Sequence, residues 1–308
     1  MPIPISTGGA NDPIRNAGKI RNQGFEFNLG WNESLNKDLS YGVSFLGTYN
    51  KNEVVEMGAE SQVITGGTIH GGTYTSRTLA GYPIGGFWLI PTDGYFNSTE
   101  EVQAHQKDGV LIQPSAEPGD IRFKDTNNDG TINDEDRVYC GSPFPKFTYS
   151  INGNITYKNV DFSIGFQGVT GNKIYNATKL ELTDVTRGTN YLASTLDYWT
   201  PENQNASSPR LIWTDPNRNA RSESDRYLES GSYFRLRNLQ VSYTLPTVWF
   251  HGFVQKARVY VNAENLFTIS SYSGYTPDVN SSDVYSRGFD EFIYPSNRTF
   301  MFGLNVTF

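Results

Sequence analysis

Residues 298–308, RTFMFGLNVTF, alternate without a break. Phe300, Phe302, Leu304, Val306 and Phe308 share one face of an extended strand, and Thr299, Met301, Gly303, Asn305 and Thr307 share the other. Side chains along a strand point to opposite faces in turn, so this stretch predicts a strand with one apolar and one polar face. The pattern recurs upstream. Residues 24–31 set Phe25, Phe27, Leu29 and Trp31 against Glu26, Asn28 and Gly30. Residues 39–50 set Leu39, Tyr41, Val43, Phe45 and Tyr49 against Ser40, Ser44, Thr48 and Asn50, and Leu46 breaks the alternation. Residues 147–157 set Phe147, Tyr149, Ile151, Ile155 and Tyr157 against Thr148, Ser150, Asn152, Asn154 and Thr156. Residues 160–168, 232–245 and 257–267 repeat the pattern, which makes seven strands in all.

The connections are short at 32–38, 158–159 and 246–256 and long at 51–146, 169–231 and 268–297. Short and long alternate strictly, as in an outer-membrane β-barrel, whose periplasmic turns are short and extracellular loops long. That sidedness gathers Trp31, Tyr157, Trp249 and Phe308 at the periplasmic end, where an aromatic girdle belongs. A soluble sandwich also alternates, but it gives no reason for the short–long order and rarely carries such long connections without regular structure. The expected fold is therefore all-β, the C-terminal part of a large transmembrane barrel with long extracellular loops. Seven strands fall short of a complete bacterial barrel, which normally has an even count. The chain also opens in a Pro/Gly/Asn-rich run, so residues 1–308 are expected to be a partial barrel domain lacking plug and N-terminal strands.

Composition sharpens this picture. Among 308 residues, aromatics make up 14% and mean hydropathy is -0.50, with no apolar run near the ~20 residues of a spanning helix. Net charge is -7, which excludes the basic footprint of a nucleic-acid binder. Cys140 is the only cysteine, so no intrachain disulfide forms, and His70, His105 and His251 have no metal-ligand spacing. Met1 begins MPIPISTGG, with no basic or apolar signal region. Either the protein is not exported, or the chain is a piece of a longer one.

The long connection at 51–146 is the richest. Its stretch 81–96, GYPIGGFWLIPTDGYF, is expected to extend a strand or form a short extra pair. Residues 98–109 predict a helix with Ser98 as N-cap, Glu100 and Glu101 in the first turn and Gly109 beyond the end. Residues 125–136, DTNNDGTINDED, match the twelve-residue calcium loop. Asp125, Asn127, Asp129, Thr131 (through its carbonyl), Asn133 and Asp136 occupy the ligand positions around Gly130, with Asp at the last where Glu is usual. The competing reading is an acidic turn that binds nothing tightly. Trp88, Trp199, Trp213, Tyr272 and Tyr275 are candidate substrate contacts, by stacking on sugars or gripping peptides. The competing reading packs each of them between loops. No HExxH, GxSxG, phosphate-binding loop or CxxC occurs, and no carboxylate pair stands out, so nothing compels an enzyme.

Several stretches in fixed order resemble the SusC/RagA-type TonB-dependent outer-membrane transporters of Bacteroidetes. They are GKIRNQGFEFNLGW (18–31), GYPIGGFW with DGYF (81–96), PGDIRFKDTNNDGTINDEDR (118–137), residues 141–176, GSYFRLRNLQVSYTLP (231–246), residues 258–278 and YPSNRTFMFGLNVTF (294–308). The resemblance implies a plugged 22-stranded barrel energised by TonB–ExbB–ExbD through an N-terminal part absent here. It also implies a SusD-like lipoprotein partner, import of oligosaccharides or peptides, and no catalysis. In that reading this chain supplies lipid-facing wall and extracellular loops, and its last aromatic resembles the signal read by the barrel-assembly machinery. A calcium-stabilised, β-rich glycan-binding or adhesion module is the alternative, and a secreted glycoside hydrolase a third. The module would bury Phe300, Phe302 and Leu304 between two sheets. The transporter leaves them bare.

Overall fold

The computed structural model describes residues 18–58, 63–69, 73–250, 253–279, 281 and 283–308. The opening run of the chain, His70 and His251 lie outside them. Seven strands form one sheet: β1 (Lys19–Ser34), β2 (Leu39–Glu56), β3 (Phe147–Tyr157), β4 (Val160–Thr170), β5 (Tyr233–Leu245), β6 (Lys256–Ser270) and β7 (Thr299–Thr307). They stand in chain order, each antiparallel to its neighbours, and the short turns fall where the alternation placed them. β1 and β7 each have one strand partner among the described residues.

One rung crosses all seven strands: Trp31, Val43, Gly153, Ile164, Leu239, Ala263 and Phe300. The next rung on the other face reads Asn32, Gly42, Asn154, Ser163, Gln240, Asn262 and Met301. Register thus sorts the side chains into one apolar and one polar surface, as a single slip would not. The rung is also staggered. Trp31 lies 3 residues before the end of β1 at Ser34, and Phe300 lies 7 before the end of β7 at Thr307, a drift of 7 − 3 = 4 residues. A barrel wall needs such a stagger, because its strands tilt to the barrel axis. From Leu39 to Tyr49, ten residue steps at ~3.3 Å and a tilt of ~40° give a band about 25 Å tall, the hydrocarbon height of such a wall.

The apolar face is bare. Phe300, Phe302 and Leu304 are 62%, 81% and 61% exposed, and Phe25, Leu29, Trp31, Val43, Ile155, Val241 and Val261 are exposed with them. All four clusters of buried apolar side chains are built instead from the connections; the largest joins Ile69, Phe87, Leu89, Tyr175, Ala177, Leu180 and Tyr227. A two-sheet core is absent among the described residues, and with it the geometry of the adhesion-module reading.

The strands run longer than the alternation suggested. β1 starts at Lys19 and β2 continues to Glu56, where Ile20 and Val54 fall among charged and amide residues without alternation and the period no longer reports the strand. Leu46 does not interrupt β2; it pairs across to Asn28 and Ser150 and lies in a polar rung. The long connections are not structureless. Ile64–Ile69, Thr73–Thr78, Gly86–Leu89 and Val138–Gly141 make a four-stranded sheet, and Thr92–Tyr95 pairs with Ile121–Phe123. The stretch at 81–96 therefore splits between two sheets. Helix α1 covers only Thr99–Ala104, with Glu101 N–H donating to the Ser98 hydroxyl at 3.3 Å. It stops early because Asp108–Gly109, with φ of 50° and 81°, turns a hairpin between Gln106–Lys107 and Val110–Leu111. Helix α2, Ala177–Thr183, carries no clear sequence signal and is held by the packing of Leu180.

Candidate functional site

The polar face continues from the wall to the loop layer above it. Thr48, Thr148, Ser150, Asn152, Gln167 and Arg237 line a hollow of about 290 Å³ on this face. A bulge aims Arg237 into it. Leu236 pairs with Phe267 but Asn238 pairs with Glu264, so one residue of β5 opposes two of β6, and Asn265 absorbs the extra residue at φ 54°. Near the turn end, Arg258 reaches the Asp161 carboxylate at 3.0 Å across Ser242. These groups can hydrogen-bond a polar solute. They include no nucleophile–base pair.

The loop layer is a packed body. Asp120 is fully buried and accepts from Arg210 Nε at 2.6 Å, Arg210 Nη2 at 3.0 Å and Asn219 Nδ2 at 2.7 Å. Gln113 spans Phe123 N–H, the Ile121 carbonyl and Asn217. This network left no trace in the sequence, because Arg210 and Asn219 lie 90 and 99 residues from Asp120, and Asn217 lies 104 from Gln113.

The expected substrate contacts separate into two kinds. Trp199 is buried, with Nε1 donating to Asn97 at 3.1 Å, and packs on Gly119. Tyr272 is buried with its hydroxyl on the Asp290 carboxylate; burial and that carboxylate push the phenol well up. These two hold loops together and have no free ring face. Trp213 and Tyr275 stand 64% and 73% exposed. Trp88 is half-buried in an aromatic group, edge-on to Tyr82 at 4.8 Å and tilted to Tyr139 at 5.9 Å, and its Nε1 has no partner. No ring contact joins any two of the five among the described residues.

The loop at 125–136 closes on itself. Asp125 accepts from the amides of Asp129 and Gly130 at 3.1 and 2.7 Å. Asp129 accepts from the Thr131 amide and hydroxyl and from the side-chain amides of Asn127 and Asn133. Those donors, Asn127 foremost, hold its carboxyl down at about 2. Asp136 is buried and accepts from the amides of Thr126 and Asn133 at 2.7 and 2.8 Å. Gly130 supplies the tight turn at φ 92°, against the Lys107 side chain. No group of three or more His, Cys, Asp or Glu side chains gathers for a metal among the described residues.

No protein-family profile matches the chain. It is 31% identical over 97% of its length to "TonB-dependent receptor P3" of Formosa agariphila, covering 30% of that protein. It is 25% identical over 99% of its length to "TonB-dependent receptor SusC" of Bacteroides thetaiotaomicron, covering 28% of it. Among solved structures, the RagAB peptide transporter superposes over the whole chain with a TM-score of 0.76 at 20% identity, this chain spanning 31% of that one. With the seven-strand wall, these likenesses identify the chain as part of a SusC/RagA-type TonB-dependent receptor. It spans about a third of the length of the curated relatives it matches. Those relatives are receptors and transporters, not enzymes.

Proposed function

We propose that this chain forms lipid-facing wall and extracellular loops of an outer-membrane nutrient importer. The observation that carries the reading is the two-faced sheet: an exposed apolar surface about as tall as the hydrocarbon layer, backed by polar rungs. Solute passes on the polar side, and the loops at 51–146, 169–231 and 268–297 stand on the extracellular side with Trp88, Trp213 and Tyr275 as substrate contacts. The whole receptor works with a SusD-like lipoprotein and is energised by TonB–ExbB–ExbD through parts outside this chain. Its substrate is an oligosaccharide or a peptide. The fold likeness to a peptide transporter and the relative named SusC leave the choice to experiment.

We also propose calcium for the 125–136 loop, held by Asp125, Asn127, Asp129, Thr131, Asn133 and Asp136. The spacing of oxygen ligands and the turn at Gly130 support it.

The test is uptake by cells carrying the whole receptor. Labelled oligosaccharides and labelled peptides are supplied to wild type, a receptor deletion and a Trp88→Ala/Trp213→Ala/Tyr275→Ala triple variant. Loss of uptake of one class in the deletion, and a marked reduction in the triple variant at unchanged receptor level, are expected. Uptake equal in wild type and deletion for every class refutes the importer.

A further inference from the structure

We propose that the loop-side ends of β1 and β2 bind the phosphate of an anionic lipid headgroup through Lys19, Arg21 and Lys51. The proposal rests on the membrane reading of the apolar face. At this corner of the sheet the apolar belt ends in Phe25 and Tyr49, stacked at 5.5 Å on opposed strands. Both strands run on past it. β1 begins 6 residues before Phe25 and β2 ends 7 after Tyr49, whereas β3 begins at Phe147, in the same rung. The wall thus projects beyond its aromatic rim here.

The projection has one covered and one open face. On the polar side, Val54 is buried and exchanges backbone hydrogen bonds with Gly81 and Tyr82, while Asn52 accepts from the Ile84 amide at 2.9 Å. On the other side, in line with Phe25 and Tyr49, follow Gln23 opposite Lys51, then Arg21 opposite Glu53, then, past a bulge, Lys19 opposite Glu56. Two residues of strand advance the chain by ~7 Å, about the depth of one headgroup layer, so Lys51 stands within it, while Arg21 and Lys19 start ~13 and ~20 Å along the strand and reach back toward it with their long side chains. Lys51 donates to Glu53 at 2.8 Å yet stays 62% exposed. Three cations against Glu53 and Glu56 leave this face with one net positive charge on a chain of net charge -7. Basic groups just above an apolar belt attract lipid phosphate, each by about fivefold in binding. A phosphorylated lipid in the leaflet facing the loops fits both the belt and the charge.

The experiment uses the whole receptor, purified in detergent, with native mass spectrometry against added diphosphoryl lipid A, its dephosphorylated form and inorganic phosphate. The Lys19→Gln/Arg21→Gln/Lys51→Gln variant is expected to bind diphosphoryl lipid A at least about tenfold more weakly, with no change toward the dephosphorylated form. Glu53→Gln, which removes a competing carboxylate, is expected to bind it more tightly. Equal binding by wild type and both variants overturns the proposal. Competition by inorganic phosphate at the same concentration overturns the lipid headgroup as its source. In parallel, brominated acyl chains should quench Trp31 fluorescence, read as the difference from Trp31→Phe. If Trp31 is quenched and the variants still bind alike, the phosphate site fails alone; if Trp31 is unquenched, the membrane reading fails and takes the site with it.

Discussion

Gly168 lies directly beneath the Tyr149 ring: a Cβ built there would stand 2.3 Å from the ring's Cζ. The two residues face each other across β3 and β4, and the ring is stacked between Phe147 at 5.7 Å and Phe234 at 6.4 Å. Gly47 gives the Phe27 ring the same room. These glycines let large rings lie along the lipid side of neighbouring strands, forming an aromatic row near the loop end.

Gly168→Ala should therefore force the Tyr149 ring out of its stack, at a cost of about 1–3 kcal/mol. Adding Tyr149→Leu should recover most of the loss, since the clash goes with the ring. Urea unfolding of the whole receptor, followed by its heat-dependent gel shift, measures both. A neutral Gly168→Ala would mean that the ring does not lie there.

The loop layer should depend on Asp120. Asp120→Ala leaves Arg210 without its buried partner, and breaking such a pair costs about 3–5 kcal/mol. Trp199 packs on Gly119 beside this pair, so its burial should fall as well. Limited trypsin digestion should cut the variant's loops at residues resistant in wild type, while the strands stay protected. Unchanged digestion would make the network dispensable.

The 125–136 loop should lose order in acid in a defined window. The Asp129 carboxyl is held at about 2, below the ~3.9 of an unfolded chain, so its contribution is present above about pH 4 and lost as pH falls through 2. Hydrogen exchange at the Thr131 amide, which donates to Asp129 at 2.8 Å, should show protection that falls across that window. Asp129→Asn should remove the pH dependence. If calcium binds, terbium luminescence should appear with wild type, be displaced by calcium, and drop sharply in Asp125→Asn. No terbium signal would leave the loop as a self-closed turn.

The sheet was legible because one of its faces is apolar and the other polar, and that difference writes a period of two into residues 147–157 or 298–308. Which end of the sheet carries the loop layer could be read from connection lengths alone. Legibility failed where the physical cause changes. Lys19–Gln23 and Lys51–Glu56 have lost the apolar face, so period says nothing about them, although backbone pairing continues. The hairpins within 63–141 are short and pack against distant segments. Tyr175 and Tyr227, in different parts of the second loop, complete a core begun by Ile69 and Phe87 in the first. Among the candidate contacts, residue type could not separate Trp199 and Tyr272, which pack, from Trp213 and Tyr275, which stand free.

The claim beneath all of this is that the two faces of the sheet meet lipid and water. Spin labels placed singly along 299–307 of the whole receptor in bilayers, with Cys140→Ser and replacement of every cysteine outside this chain, test it most directly. Labels at Phe300, Phe302, Leu304 and Val306 should be accessible to oxygen and shielded from a water-soluble nickel reagent. Those at Thr299, Met301, Gly303 and Asn305 should lack that oxygen preference. Loss of the alternation, or apolar positions shielded from both reagents as in a protein core, would contradict the account.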